Sequence, residues 1–130
     1  MRFSLCLLVA IPLSAAAAGD GQGAAFFRDK VRPILSERCF KCHSHEADKI
    51  KGGLILDSRE AMLTGGDTGP AIVPGDPEKS LLIKAIRYDD ADLKMPPNKG
   101  GGKKLPDAAI ATLTEWVKLG AQWPAEPKGQ

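Results

Sequence analysis

Cys39-Phe40-Lys41-Cys42-His43 is the stretch that decides the reading of this chain. It has the form C-x-x-C-H. On a helical turn Cys39 and Cys42 are i and i+3, and Cys39 and His43 are i and i+4, so all three project from one face. Two thiols there can form thioethers to the two vinyl groups of a haem, and the imidazole can meet the iron from the same side. The pattern reads as c-type haem attachment. Three other chemistries use part of it. A thioredoxin-like redox pair also has C-x-x-C, but beside a βαβ unit, and this chain carries no sheet pattern. A structural zinc site needs two further ligands, and the only other histidine is His45, two positions on. A disulfide across so short a spacing closes a very small loop and stabilises little.

Upstream, Arg2 and an apolar run from Phe3 to Leu13 lead into Ser14 and Ala15 to Ala18. This reads as a secretory signal peptide over residues 1–18, cleaved after Ala18 in an A-x-A pattern. The apolar run is shorter than the ~20 residues needed to cross a bilayer, so no transmembrane span is expected after cleavage. Cys6 leaves with the leader, and Cys39 and Cys42 are the two cysteines that remain. The expected location is outside the cytoplasm, in the periplasm or cell envelope, which is where this type of haem attachment occurs in bacteria.

Downstream, the chain punctuates itself. A flexible leader is expected over 19–23. A helix is expected from Ala24 to Arg38, with Phe27, Val31, Ile34 and Leu35 on one face and Pro33 kinking or delaying it. Leu54-Ile55-Leu56 reads as a short extended segment. Asp57 or Ser58 caps a short helix through Leu63, stopped by Gly65-Gly66. Asp76-Pro77 is an N-cap and first-turn pair, opening a helix to about Tyr88. Pro106 or Asp107 opens a last helix to about Leu119, with Ile110, Leu113, Val117 and Gly120 inward and Trp116 beside them. The tail, 124–130, is expected to be disordered. Two Pro/Gly-rich loops lie between the helices, Asp67 to Gly75 and Asp89 to Leu105.

Composition agrees with this reading. The 130 residues are enough for one domain. Gly 14 and Pro 10 together exceed the usual share of about 12%, which suits short helices joined by long, stiff loops. Aromatics are only 5%, so the core that the chain supplies is thin, and a flat apolar haem would fill it. A net charge of +2 gives no electrostatic case for nucleic acid.

The motifs occur in a telling order. Phe26-Phe27, Val31-Arg32-Pro33-Ile34-Leu35 and the C-x-x-C-H motif are followed by Lys51-Gly52-Gly53-Leu54 and Asp57-Ser58-Arg59. Then come Gly69-Pro70-Ala71-Ile72-Val73-Pro74-Gly75-Asp76-Pro77, Ser80-Leu81-Leu82 and Lys94-Met95-Pro96-Pro97. Over roughly residues 24–123 this resembles the planctomycete-type cytochrome c domain of the mono-haem cytochrome c superfamily. The resemblance implies an all-α, small cytochrome c-like helical domain wrapped around one covalently attached haem c. Family members are often the first part of much longer proteins. This chain ends soon after Trp123, as a stand-alone electron carrier or a truncated gene product would.

Candidate site residues follow. Cys39 and Cys42 are the expected thioether positions and His43 the proximal iron ligand. Met95 is the expected second axial ligand. It is distant in sequence from His43, and Pro96 and Pro97 stiffen the backbone that presents it. The family's K-M-P-P segment points the same way, against the alternative of a core gap-filler. Met62 is expected in the core. Pro70 sits in a Gly-Pro pair that either resembles the superfamily loop whose carbonyl accepts the second N–H of the proximal histidine or is a simple turn. His45 is expected to be a solvated loop residue. Arg87, Tyr88, Lys94 and Trp116 are within reach of haem propionates as residue types, but are expected on the surface or in the ordinary core.

The expected function is electron transfer through His/Met-ligated iron, with an unidentified redox protein as partner and no enzymatic activity of its own. The alternatives are a haem-based sensor or enzymatic domain with an open iron position, or an interaction module whose haem is structural.

Overall fold

The computed structural model describes residues 18–99 and 102–125. The expected signal peptide lies outside them except for Ala18, as do residues 126–130 of the expected tail. Among the described residues there are helices and loops and no β-strand. The sole pairing is an isolated bridge between Gly66 and Gly69. The all-α expectation holds.

One long helical stretch leads into the C-x-x-C-H motif. It comprises α1 (Ala18–Phe26), a π-helical turn (Phe27–Val31) and α2 (Arg32–Arg38). Pro33 sits in the first turn of α2 and has no N–H to donate. Just before it the backbone widens by one residue, and the Arg32 N–H reaches back to the Phe27 carbonyl. A π-turn lets the helix pass the proline without stopping. Phe27, Val31 and Leu35 are buried along this rod, as the spacing predicts.

The helix begins earlier than the sequence suggested. Residues 19–23, expected to be a flexible leader, are helical. Gly23 explains part of this. A Cβ there would stand 2.6 Å from the Gln122 side chain, so the glycine permits a close approach to the C-terminal segment.

Two short helices follow. In α3 (Arg59–Thr64), Ser58 is the N-cap and its hydroxyl accepts from the Ala61 N–H at 3.1 Å. Gly65 ends the helix at φ 77, and a Cβ there would collide with the Gly69 carbonyl at 1.9 Å. The expected helix from Pro77 to Tyr88 is divided in two. Asp76 caps a 3₁₀ turn (Pro77–Lys79), accepting from the Lys79 N–H at 3.1 Å. Ser80 is then extended, and α4 (Leu81–Arg87) begins after it. Ser80 is fully buried. Its hydroxyl accepts from the Val73 N–H at 2.9 Å and lies 2.9 Å from the Asp76 carbonyl, to which it donates. These bonds to the preceding loop hold Ser80 out of the helix.

The last helix, α5 (Asp107–Lys118), packs on α4 and on the π-turn. Leu113, Trp116 and Val117 form its buried face. Trp116, expected beside the inner face, lies at its centre. Its indole N–H donates to the Gln122 carbonyl at 2.7 Å, which satisfies the one polar atom of a buried tryptophan. Phe27, Trp116 and Trp123 gather in one cluster, with Phe27 and Trp123 ring centroids 3.9 Å apart. The first helical stretch, α5 and the segment after α5 are thus joined by three aromatic rings. No helix among the described residues is long and apolar enough to cross a membrane.

Candidate functional site

The residue after α2 is Cys39, and the turn that follows is held from both sides. His43 N–H donates to the Cys39 carbonyl at 3.0 Å, the i to i−4 bond of a helical turn. The Ser44 hydroxyl donates to the Phe40 carbonyl at 2.7 Å. The next segment folds back over this turn, with Lys51 N–H on the Cys42 carbonyl at 3.0 Å and Leu56 N–H on the His43 carbonyl at 2.8 Å. These bonds fix Leu54, in extended conformation, beside the histidine ring.

The consequence for His43 is direct. Its Nδ1 stands 3.1 Å from the Leu54 carbonyl oxygen. A carbonyl only accepts, so Nδ1 carries the proton and the Nε2 lone pair is left for a metal. A metal-bound histidine commonly has such a partner. The residue expected to supply it was Pro70, and the structure corrects this. Pro70 is exposed and its carbonyl is not the partner of His43; Leu54 is. A backbone carbonyl has no side-chain signature, so only the way Lys51 and Leu56 bond back onto the motif turn reveals it.

A cavity of about 470 Å³ opens beside the turn, within the range of roughly 300–1,000 Å³ usual for cofactor sites. Cys39, Cys42, His43 and Met95 all line it. The apolar part of its wall is aliphatic, with Leu81, Leu82, Ala85 and Ile86 from α4 and Leu54 and Leu56 from the returning segment. Among the described residues no Phe, Tyr or Trp lines it. Phe27, Trp116 and Trp123 pack on one another instead, so the aliphatic part of the cavity has no Phe, Tyr or Trp ring of the described chain against it. Arg38, Lys41, Lys51 and Lys99, with Glu37 and Asp67, are its charged wall residues. The balance there is basic.

The donor set fits a haem. Both cysteines are free thiols. Burial pushes the Cys39 thiol from its usual 9.0 up to about 11, against a smaller downward pull from the Arg38 charge. A buried neutral thiol is at home against an apolar ring. The alternative of a bare ion has no ligand set, because among the described residues no three His, Cys, Asp or Glu side chains converge to hold one.

The two methionines lie in different settings. Met62 is fully buried in the hydrophobic core. Met95 is 40% exposed and belongs to the cavity wall, which is not the setting of a core gap-filler. The peptide bond from Met95 to Pro96 is cis. His45 is exposed and pairs with Asp57, Nδ1 to Oδ1 at 2.6 Å, outside the cavity lining. Arg87, Tyr88, Lys94 and Trp116 do not line the cavity either: Arg87 pairs with Glu78 at 2.7 Å, and Trp116 is core.

An all-helical fold, a C-x-x-C-H turn and a cavity lined by that turn are the features that a c-type haem domain requires. Comparison with known families agrees. Residues 39–99 match the family model described as Planctomycete cytochrome C, the family to which the ordered motifs pointed. The match spans Cys39, Cys42, His43, Pro70 and Met95. Among solved structures, the hydrazine synthase of Kuenenia stuttgartiensis is similar at 26% sequence identity and a TM-score of 0.44. The alignment covers 80% of this chain and 17% of that one, so this chain spans under a fifth of that chain's length. No curated protein matches the chain.

Proposed function

We propose that the chain is an exported mono-haem c-type cytochrome that transfers electrons and has no enzymatic activity of its own. The observation that carries this reading is the convergence of Cys39, Cys42, His43 and Met95 on one aliphatic cavity. Cys39 and Cys42 each form one thioether to the haem. His43 offers Nε2 to the iron, with its ring orientation and tautomer held by Leu54. Met95 offers a soft, neutral sulfur, and a Met/His pair raises the potential relative to His/His. When bound, the haem supplies an iron that takes one electron from a reduced redox protein and gives it to an oxidised one. The aliphatic side chains of α4 and of Leu54 and Leu56 give the ring an apolar surface to lie against. The domain spans residues 24–123, behind a signal peptide removed after Ala18, and works in the periplasm or cell envelope.

Mass spectrometry of the exported protein should give the chain after Ala18 plus one haem and no free thiol. A Cys39–Cys42 disulfide without haem mass overturns the reading. The oxidised protein should show a sulfur-to-iron charge-transfer band toward the red. Met95→Ala should remove that band and lower the potential.

The exposure of Met95 favours one alternative, an iron position that opens to a small ligand. Carbon monoxide binding to the reduced wild-type protein separates the two. Stable binding supports the sensor or enzymatic reading, and its absence supports the electron carrier.

A further inference from the structure

The residue after α4 is unusual. Tyr88 lies at φ 65, ψ 28, the left-handed region that a helix normally ends in with glycine. Among the described residues only one other non-glycine, Ala121, has a positive φ. A bulky side chain there strains the backbone, and glycine would avoid the strain. The retained side chain has a partner. The Tyr88 hydroxyl bonds to the Pro96 carbonyl and stands 3.0 Å from Asn98 Oδ1.

A second anchor lies one residue away. The Met95 N–H donates to the Ala85 carbonyl at 3.1 Å, in the last turn of α4. Met95 is therefore bracketed, with its own N–H held by α4 and the next residue's carbonyl held by the tyrosine that ends α4. The Tyr88 ring also lies beneath two ammonium groups, Lys94 Nζ at 5.8 Å and Lys104 Nζ at 5.7 Å from its centroid. These are within cation–π range and come from both arms of the loop that carries Met95. Where that loop returns, a Cβ on Gly102 would stand 2.1 Å from the Pro97 carbonyl, so the two arms touch there.

We propose that Tyr88 is a positioning residue, whose hydroxyl clamps the Met95–Pro97 strap and thereby sets how readily the iron exchanges the Met95 sulfur for an outside ligand. This rests on Met95 being the axial ligand. Tyr88 itself does not line the cavity and acts only through the strap.

The test uses the oxidised holoprotein titrated with imidazole, following loss of the sulfur-to-iron band. In Tyr88→Phe one hydrogen bond is lost and the ring is kept, so imidazole should bind about three- to tenfold more tightly than to wild type. Tyr88→Gly relaxes the backbone and also removes the clamp. If Tyr88 serves only as a helix cap, this variant should bind imidazole as wild type does; under the proposal it should bind at least as tightly as Tyr88→Phe. Wild-type imidazole affinity in both variants, with the band present in wild type, overturns the role of Tyr88 and leaves the Met95 assignment standing. Absence of the band from wild type overturns the Met95 assignment and this proposal together.

Discussion

The Leu54 carbonyl oxygen lies 3.1 Å from Nδ1 of His43 and so decides which nitrogen of that ring keeps its proton. The bond is a main-chain contact, set by the returning segment whose Lys51 and Leu56 amides bond to the carbonyls of Cys42 and His43. In the reduced, diamagnetic holoprotein labelled with nitrogen-15, the Nδ1 proton of His43 should give a resolved, slowly exchanging resonance. A ring protonated on Nε2 instead would contradict both the tautomer and the ligand assignment.

The haem-free chain should be largely unfolded, because an aliphatic cavity of about 470 Å³ has no filler of its own. Cys39 reports on this. In the folded chain its neutral thiol is favoured, with a value raised from 9.0 to about 11. That contribution to folding is fully present below pH 9 and is lost as pH rises through 11. Protein made without its leader, away from attachment machinery, should show little helical circular dichroism. Both thiols should be alkylated at pH 8 at the rate of an unfolded peptide. Strong helical signal with Cys39 protected until the pH nears 11 would mean a folded apo-protein.

Ser80→Ala should destabilise the holoprotein without changing its spectrum. The substitution leaves the buried Val73 N–H and Asp76 carbonyl without their hydroxyl partner. The expected loss is about 1–3 kcal/mol, with each kcal/mol worth about 4–8 °C of Tm in a domain of this size. A Tm unchanged within error would show that the loop and α4 are held by packing alone.

Met62→Ala should cost about 2–5 kcal/mol, as truncation of a fully buried side chain does, and should leave the charge-transfer band in place. Thermal unfolding and the oxidised spectrum, recorded on the same sample, check both parts. Loss of the band in Met62→Ala would transfer the ligand role away from Met95.

Much of the molecule is legible in its residues, where local chemistry decides the outcome. The spacing of Phe27, Val31 and Leu35, the Ser58 and Asp76 caps, the Gly65 stop and the attachment turn all follow from short-range rules. What escapes is set by partners far along the chain. The glycines at 19, 21 and 23 read as flexible, yet the segment is helical, with Gly23 against Gln122. Ser80 reads as an ordinary helix position, yet its bonds to Val73 and Asp76 break the helix. Pro70 reads equally as a simple turn or, by resemblance to a loop, as the histidine's partner, and the partner is the main chain of Leu54. Tyr88 carries no sequence sign of its left-handed backbone.

The stacking of Phe27 on Trp123 has a further meaning for how such a domain can be carried. The nine residues of α1 precede Phe27, with Gly23 against Gln122, so the first helix and the C-terminal segment run together there. The attachment turn begins about 18 Å along the helical rod from Phe27, twelve residues at 1.5 Å each. The domain is built like a pendant, with a single stalk and the cofactor pocket well along the rod from it. Grafting this unit into a loop of another protein would use the place where the first helix and the C-terminal segment already touch.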